Sequence, residues 1–223
     1  MKTILCYGDS NTWGFVPGSG ARYPKEVRWP GRLAALLGTG FRVEENGLNG
    51  RTTVYDDPDL PCRNGKAGLG YALCAGKTFD LVILMLGTND LKYTDASGAA
   101  RGAAELVALL QEANLRFPGA TAVFPHGPRV LLISPVTIRE NAVPEGPFFT
   151  HDESLRFAGL YEAVAQASGV HFLDAARYAQ PSPKEGTHLL PEGHAALARA
   201  VAEQVRTIFA QEELEAKTGH AAL

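Results

Sequence analysis

The stretch Asp80-Leu81-Val82-Ile83-Leu84-Met85-Leu86, running directly into Gly87-Thr88-Asn89-Asp90, decides the fold class. Six consecutive apolar residues closed by a Gly/Asn/Asp turn read as a strand with no polar face. A strand without a polar face is covered on both sides, the condition of a parallel sheet layered between helices. Working outward, residues 4–7, 41–45, 129–134 and 170–173 read as further strands. Residues 31–37, 99–117, 154–168 and 191 to about 215 read as helices, with Pro30 and Pro191 suited to first turns and Gly38 and Pro118-Gly119 as stops. Strands interleaved with helices predict an α/β fold, and ligands in such folds bind outside the carboxyl ends of the strands. The segments that follow the strands are therefore the ones to weigh for chemistry: 8–14, 46–53, 87–90, 135–150 and 174–188.

Composition narrows the function classes. A chain of 223 residues with 45% apolar and 20% charged residues predicts one folded domain, 1–223. Lys plus Arg is 21 against 24 for Asp plus Glu, so no basic surplus exists to neutralise a nucleic-acid backbone. The longest apolar run, residues 81–86, is far short of the roughly 20 residues of a membrane helix. Cys6, Cys62 and Cys74 are odd in number and lack a CxxC spacing, which argues against a disulfide framework and a cysteine zinc site. The N-terminus reaches Gly8-Asp9 before a signal-peptide core forms. The expectation is a soluble, cytoplasmic protein with no metal and no cofactor. Residues 136–150, with Phe148 and Phe149 expected at the surface, read as a lid, a subunit interface or a plain solvated loop, and residues 211–223 as a frayed tail.

The chemistry-bearing residues follow the strands. Ser10, in Gly8-Asp9-Ser10-Asn11-Thr12-Trp13-Gly14, has the setting of an activated hydroxyl nucleophile, or of a helix cap. Gly50 and Asn89 bring a backbone N–H and a side-chain amide to the same sheet edge, where they suit an oxyanion hole or simple turns. His188 sits in the last such loop, three residues after Glu185, a carboxylate able to orient an imidazole acting as general base. His194 lies on the next helix and reads as structural. A His188/Glu192 metal pair lacks a third ligand.

Taken in order, Gly8-Asp9-Ser10 with Thr12, Gly50, Gly87-x-Asn89-Asp90 and a terminal x-x-His at His188 resemble the blocks of the SGNH (GDSL-type) hydrolase family. The segments 4–14, 28–29, 51–53, 56–58 and 80–90 are similar to its bacterial arylesterase/acyltransferase branch, and the likeness covers nearly the whole chain. The resemblance implies a flavodoxin-like three-layer α/β/α sandwich with five parallel strands in the order 2-1-3-4-5. It implies Ser10 as nucleophile, His188 as base, and an oxyanion hole of Ser10 N–H, Gly50 N–H and the Asn89 amide, with Asp9 and Asp90 as supports. It departs at one position: the family usually has Asp where this chain has Glu185. Glu185 either completes the triad or points to solvent and leaves a backbone carbonyl to orient His188. Trp13 walls the acyl pocket or belongs to the core. The activity implied is that of a serine esterase on small acetyl-type esters, with acyl transfer to alcohols and a homo-oligomer as further implications. Alternatives at this point are a carbohydrate O-deacetylase, a non-catalytic flavodoxin-like binding module and a decayed hydrolase scaffold.

Overall fold

The computed structural model describes residues 1–75, 77–118 and 121–219. In chain order the elements are β1 (Lys2–Gly8), α1 (Ser10–Trp13), α2 (Trp29–Leu37), β2 (Phe41–Gly47), α3 (Gly65–Cys74), β3 (Leu81–Met85), a 3-10 turn (Asn89–Lys92), α4 (Ala96–Gln111), α5 (Ala113–Arg116), β4 (Val130–Ser134), α6 (His151–Leu155), α7 (Phe157–Ser168), β5 (His171–Asp174) and α8 (Pro191–Gly219). The strands form one parallel sheet in the order β2-β1-β3-β4-β5. This is the order implied by the family resemblance.

The period-2 alternation of strands divides the core in two. Leu5 and Tyr7 of β1, Val82 and Leu84 of β3 and Leu132 of β4 pack with the residues of α3, α4 and α7. Ile4, Cys6, Leu81, Ile83, Met85, Leu131 and Ile133 face the other way, against α2 and α8. All five residues of β3 are buried, as an apolar run at the sheet centre requires. Each fully buried Leu or Ile contributes about 1.5–3 kcal/mol, so both layers hold β3 firmly. The chain leaves β1 toward β2 on one side and later returns to β3 on the other. The two connections diverge above Gly8 and Met85, and that divergence opens the crevice where ligands bind in such sheets.

Several elements differ from the sequence reading. The crossover from β2 to β3 contains α3, whose Gly65, Gly68 and Gly70 obscure a helical pattern; Asn64 starts it by accepting the Lys66 and Ala67 N–H groups. The helix expected over 99–117 begins earlier, at Ala96 behind the Asp95 cap, and breaks at Glu112. The helix expected over 154–168 is two pieces separated at Arg156. Phe149 is buried in the α4/α7 core rather than exposed; only Phe148 is open to solvent. Helix α8 continues to Gly219; residues 220–223, and the side chains beyond 211, lie outside the described residues, so the expected fraying of 211–223 does too. Among the described residues no helix is long and apolar enough to cross a membrane.

Candidate active site

The turn after β1 places Ser10. A Cβ on Gly8 would lie 2.1 Å from Thr12 Oγ1 and 2.8 Å from the Met85 carbonyl oxygen, so the chain closes this tightly only over glycine. The Asp9 side chain then accepts the Asn11 N–H at 2.9 Å and caps α1. Ser10 is the first residue of that helix, 7% exposed, and its N–H has no acceptor among the described residues.

His188 arrives from the loop before α8. Its Nε2 lies 2.9 Å from Ser10 Oγ, and its Nδ1 lies 2.7 Å from Glu185 Oε2. Glu185 Oε1 turns back to accept the His188 N–H at 2.5 Å and the Thr187 N–H at 3.3 Å. One carboxylate therefore both caps the turn that carries the imidazole and faces its far nitrogen. Of the two placements open to Glu185, the structure has the inward one. Burial alone would raise its pKa, but the bonds from the His188 ring and backbone outweigh that and hold the carboxyl below its usual range. A carboxylate at Nδ1 selects the tautomer in which Nδ1 donates and Nε2 accepts, so Nε2 is poised to take the Ser10 proton.

The opposite wall comes from the loops after β2 and β3. Gly50 has φ +76, a left-handed conformation that glycine adopts without a Cβ penalty, and its N–H has no acceptor among the described residues. Asn89, 7% exposed, donates one amide hydrogen to the Arg51 carbonyl at 3.1 Å, which leaves the second for a ligand. Arg51 stacks its guanidinium 4.1 Å from the Tyr7 ring centroid and donates to the carbonyls of Gly8 (2.8 Å) and Asn46 (2.5 Å). Asp90 is fully buried and accepts both the Thr53 N–H and the Thr53 hydroxyl. Arg51 thus ties the Gly50 loop to the end of β1, and Asp90 ties it to the Asn89 turn. Burial pushes Asp90 up to about 7 and Asp9 up to about 6; the bonds from Thr53 and from the Asn11 N–H offset part of each rise.

Two contributors carry no motif of their own in the sequence. The Phe15 ring stacks on the His188 imidazole with centroids 4.1 Å apart and planes at 26°, so Phe15, and not Trp13, is the aromatic in contact with the candidate base. Trp13 lies 6.5 Å from Phe15, with the Arg22 guanidinium 5.2 Å from its ring. The segment 136–150 is the second. The Arg139 N–H donates to the Gly186 carbonyl at 2.8 Å, Arg139 Nε to the Pro181 carbonyl and Asn141 Nδ2 to the Pro183 carbonyl. At its far end Glu145 pairs with Lys92, the last residue of the Asn89 turn, at 2.5 Å. This loop braces the base loop and the Asn89 turn from outside. His194 is fully buried, accepts the Trp29 N–H through Nδ1, and is held down to about 4 by burial and the nearby arginines, as befits a structural histidine.

Hydroxyl, imidazole and carboxylate in series, with N–H donors from Ser10 itself and from the Gly50 and Asn89 loops, make an acyl-transfer site in outline. Comparison with known proteins agrees with that outline. Residues 6–196 match the model of the GDSL-like Lipase/Acylhydrolase family. The fold superposes on Est24, a carbohydrate acetylesterase from Sinorhizobium meliloti, with TM-score 0.86 and 35% identity over 93% of this chain and 100% of that one. It superposes on the native aryl esterase of M. smegmatis with TM-score 0.83 and 37% identity over 93% and 99% of the two chains. A curated relative, an acetylxylan esterase from Xylanibacter ruminicola, is 28% identical over 142 residues, 60% of this chain; the match spans 28% of that longer protein. The matching span reaches from β1 into α8 and takes in Ser10, Gly50, Asn89 and His188, and on that ground the chain belongs to the GDSL-like lipase/acylhydrolase family.

Proposed function

We propose that this protein is a serine esterase that hydrolyses small, acetyl-type carboxylic esters through an acyl-serine intermediate. The observation that carries the reading is the relay from Ser10 Oγ through His188 to Glu185, with contacts of 2.9 and 2.7 Å. In this reading His188 Nε2 takes the hydroxyl proton as Ser10 Oγ attacks the ester carbonyl. The carbonyl oxygen becomes an oxyanion held by the Ser10 N–H, the Gly50 N–H and the free amide hydrogen of Asn89. The C–O bond to the leaving alcohol breaks, and His188 returns the proton to that alcohol. Water, deprotonated by His188, then attacks the acyl-serine; the bond from the acyl carbon to Ser10 Oγ breaks, the acid leaves, and His188 returns the proton to Ser10 Oγ. Glu185 holds the imidazole in the receptive tautomer and stabilises its cation in both steps. Asp9 and Asp90 support the loops and exchange no proton with substrate.

An acyl-serine is also open to attack by an alcohol, so acyl transfer belongs to the same proposal. A second reading, carbohydrate O-deacetylation, is supported by the carbohydrate acetylesterase among the structural relatives and uses the same residues. Paired rates on acetylated xylan and phenyl acetate separate the two. We further propose a single domain over 1–223, working as a homo-oligomer in the cytoplasm. Exposed Val143 and Phe148 on the brace loop favour a subunit contact, which native mass would read, and the three free thiols favour a reducing compartment. The decisive test of the esterase reading is Ser10→Ala. It should reduce p-nitrophenyl acetate turnover to background and abolish labelling by a fluorophosphonate; wild-type turnover in that variant would end the proposal.

A further inference from the structure

One side chain brackets the backbone of His188. Asn11 Nδ2 donates to the Thr187 carbonyl at 3.2 Å, and Asn11 Oδ1 accepts the Leu189 N–H at 3.0 Å. The C=O before a residue and the N–H after it are the pair that an adjacent parallel strand would engage. The amide of Asn11 therefore acts as a strand partner for the single residue His188. Asn11 is 4% exposed, it follows Ser10 directly in α1, and both contacts join segments more than 170 positions apart.

We infer that Asn11 is a positioning residue: it sets the register of the His188 loop against the helix of Ser10, and with it the Ser10–His188 hydrogen bond. The inference rests on the Ser–His reading above and adds a residue to it. The other polar supports of His188 belong to its own side of the site. Glu185 is in the same loop, the Ser182 N–H donates to the His188 carbonyl at 2.7 Å, and Arg139 reaches Gly186 from the brace loop. Glu185 and Ser182 travel with His188 if the loop shifts, and Arg139 holds Gly186 from the brace loop rather than from the segment of Ser10. Phe15 does reach across from the nucleophile side, but a stacked ring lets its neighbour slide within the plane. Among the described residues, Asn11 alone supplies directional bonds from the nucleophile segment to the backbone on each side of the imidazole-bearing residue.

Two substitutions test this, with steady-state kinetics on p-nitrophenyl acetate. Asn11→Leu removes both bonds at similar volume. It should lower kcat about 100-fold, the scale of a misplacement near 1 Å, leave KM within about twofold, and slow fluorophosphonate labelling of Ser10 by the same factor as kcat. Asn11→Asp keeps the acceptor for Leu189 and sets a carboxylate oxygen against the Thr187 carbonyl until protonation restores an O–H donor. The kcat of the Asp variant relative to the Leu variant should therefore rise as pH is lowered, a recovery that a misfolded chain cannot show. Asn114→Leu is the control. Asn114 also makes two side-chain bonds to backbone, donating to the Phe124 carbonyl and accepting the Phe124 N–H at 2.8 Å each, remote from the site, and its loss should lower Tm with kcat unchanged. The inference is overturned if Asn11→Leu keeps kcat within twofold, if the Asp-to-Leu ratio is flat with pH, or if Asn114→Leu loses as much turnover. Wild type against Ser10→Ala, run alongside, reads the esterase assignment independently of Asn11.

Discussion

Replacing Glu185 by Gln should harm the enzyme more than replacing it by Ala, although Gln keeps the shape. The reason lies in the three donors that face this carboxylate. Oε1 accepts two backbone N–H groups, at 2.5 and 3.3 Å, and Oε2 faces His188 Nδ1 at 2.7 Å. A carboxylate satisfies all three, because both oxygens accept. An amide has one accepting end, and the two backbone donors cannot change role whereas the imidazole can. The Gln oxygen will therefore turn to the backbone and its NH2 to Nδ1. That forces Nδ1 to accept, moves the ring proton to Nε2, and leaves no base for Ser10. A tautomer lock of this kind costs about 10⁴-fold in kcat. Glu185→Ala leaves His188 free to take the receptive tautomer; it loses the backbone acceptor of the turn, which water can replace, and the stabilisation of the imidazole cation. A hydrogen bond to a charged group contributes about 1.5–3 kcal/mol, which is about 10- to 150-fold in rate. Turnover of p-nitrophenyl acetate at mildly alkaline pH, corrected for folded fraction by near-UV circular dichroism, measures both. A Gln variant as active as the Ala variant would refute the orientation argument and the Glu185–His188 pairing on which it stands.

Asn89→Ala should lower kcat by about 10²–10³, the loss typical of one oxyanion donor, with KM and Tm little changed. Gly50→Ala places a Cβ at φ +76 and 3.2 Å from Arg63 Nε. It should cost about 1–2 kcal/mol for the left-handed conformation and lower Tm and turnover together; scanning calorimetry with kinetics checks both. Asp90 and Asp9, pushed up to about 7 and about 6, hold protons in the folded state that the unfolded chain releases near pH 4. Folding stability should accordingly fall as pH rises from about 4 to about 7. Asp90→Asn should flatten that slope in a urea-unfolding series.

The strands were legible because burial on two faces leaves a signature in one-dimensional sequence. Residues 80–86 need no partner to be read, and the turns after 4–7, 41–45 and 80–86 announce their chemistry because Gly, Ser and Asn cluster there. Helix α3 was not legible. Its glycines exist for contacts elsewhere: a Cβ on Gly68 would lie 2.5 Å from the Tyr7 hydroxyl, and one on Gly65 would lie 2.3 Å from the Thr52 carbonyl oxygen. They answer to β1 and to the Gly50 loop, and so they spoil the local pattern. Phe149 departs from its local pattern for a similar reason, since a Pro/Gly-rich loop predicts exposure while the space beside α4 and α7 takes the ring in.

At the site the division is sharper. Each chemical group sits in its own short motif, but the distances between groups are set by residues whose roles exist only in three dimensions. Phe15 matters because His188 lies over it. Arg139 matters because Gly186 turns its carbonyl outward. Glu185 is the instructive case: a Glu three residues before the base leaves two outcomes open, because its extra methylene permits an outward rotamer. What closes the choice is the pair of backbone N–H groups at Thr187 and His188, which reward the carboxylate for bending back over its own turn. Once Oε1 is fixed there, Oε2 is left beside Nδ1. The longer side chain can therefore stand in for an Asp because the carboxylate is anchored at the backbone first and meets the imidazole second. Weakening the turn should consequently disturb the tautomer of His188 as surely as altering the carboxylate itself.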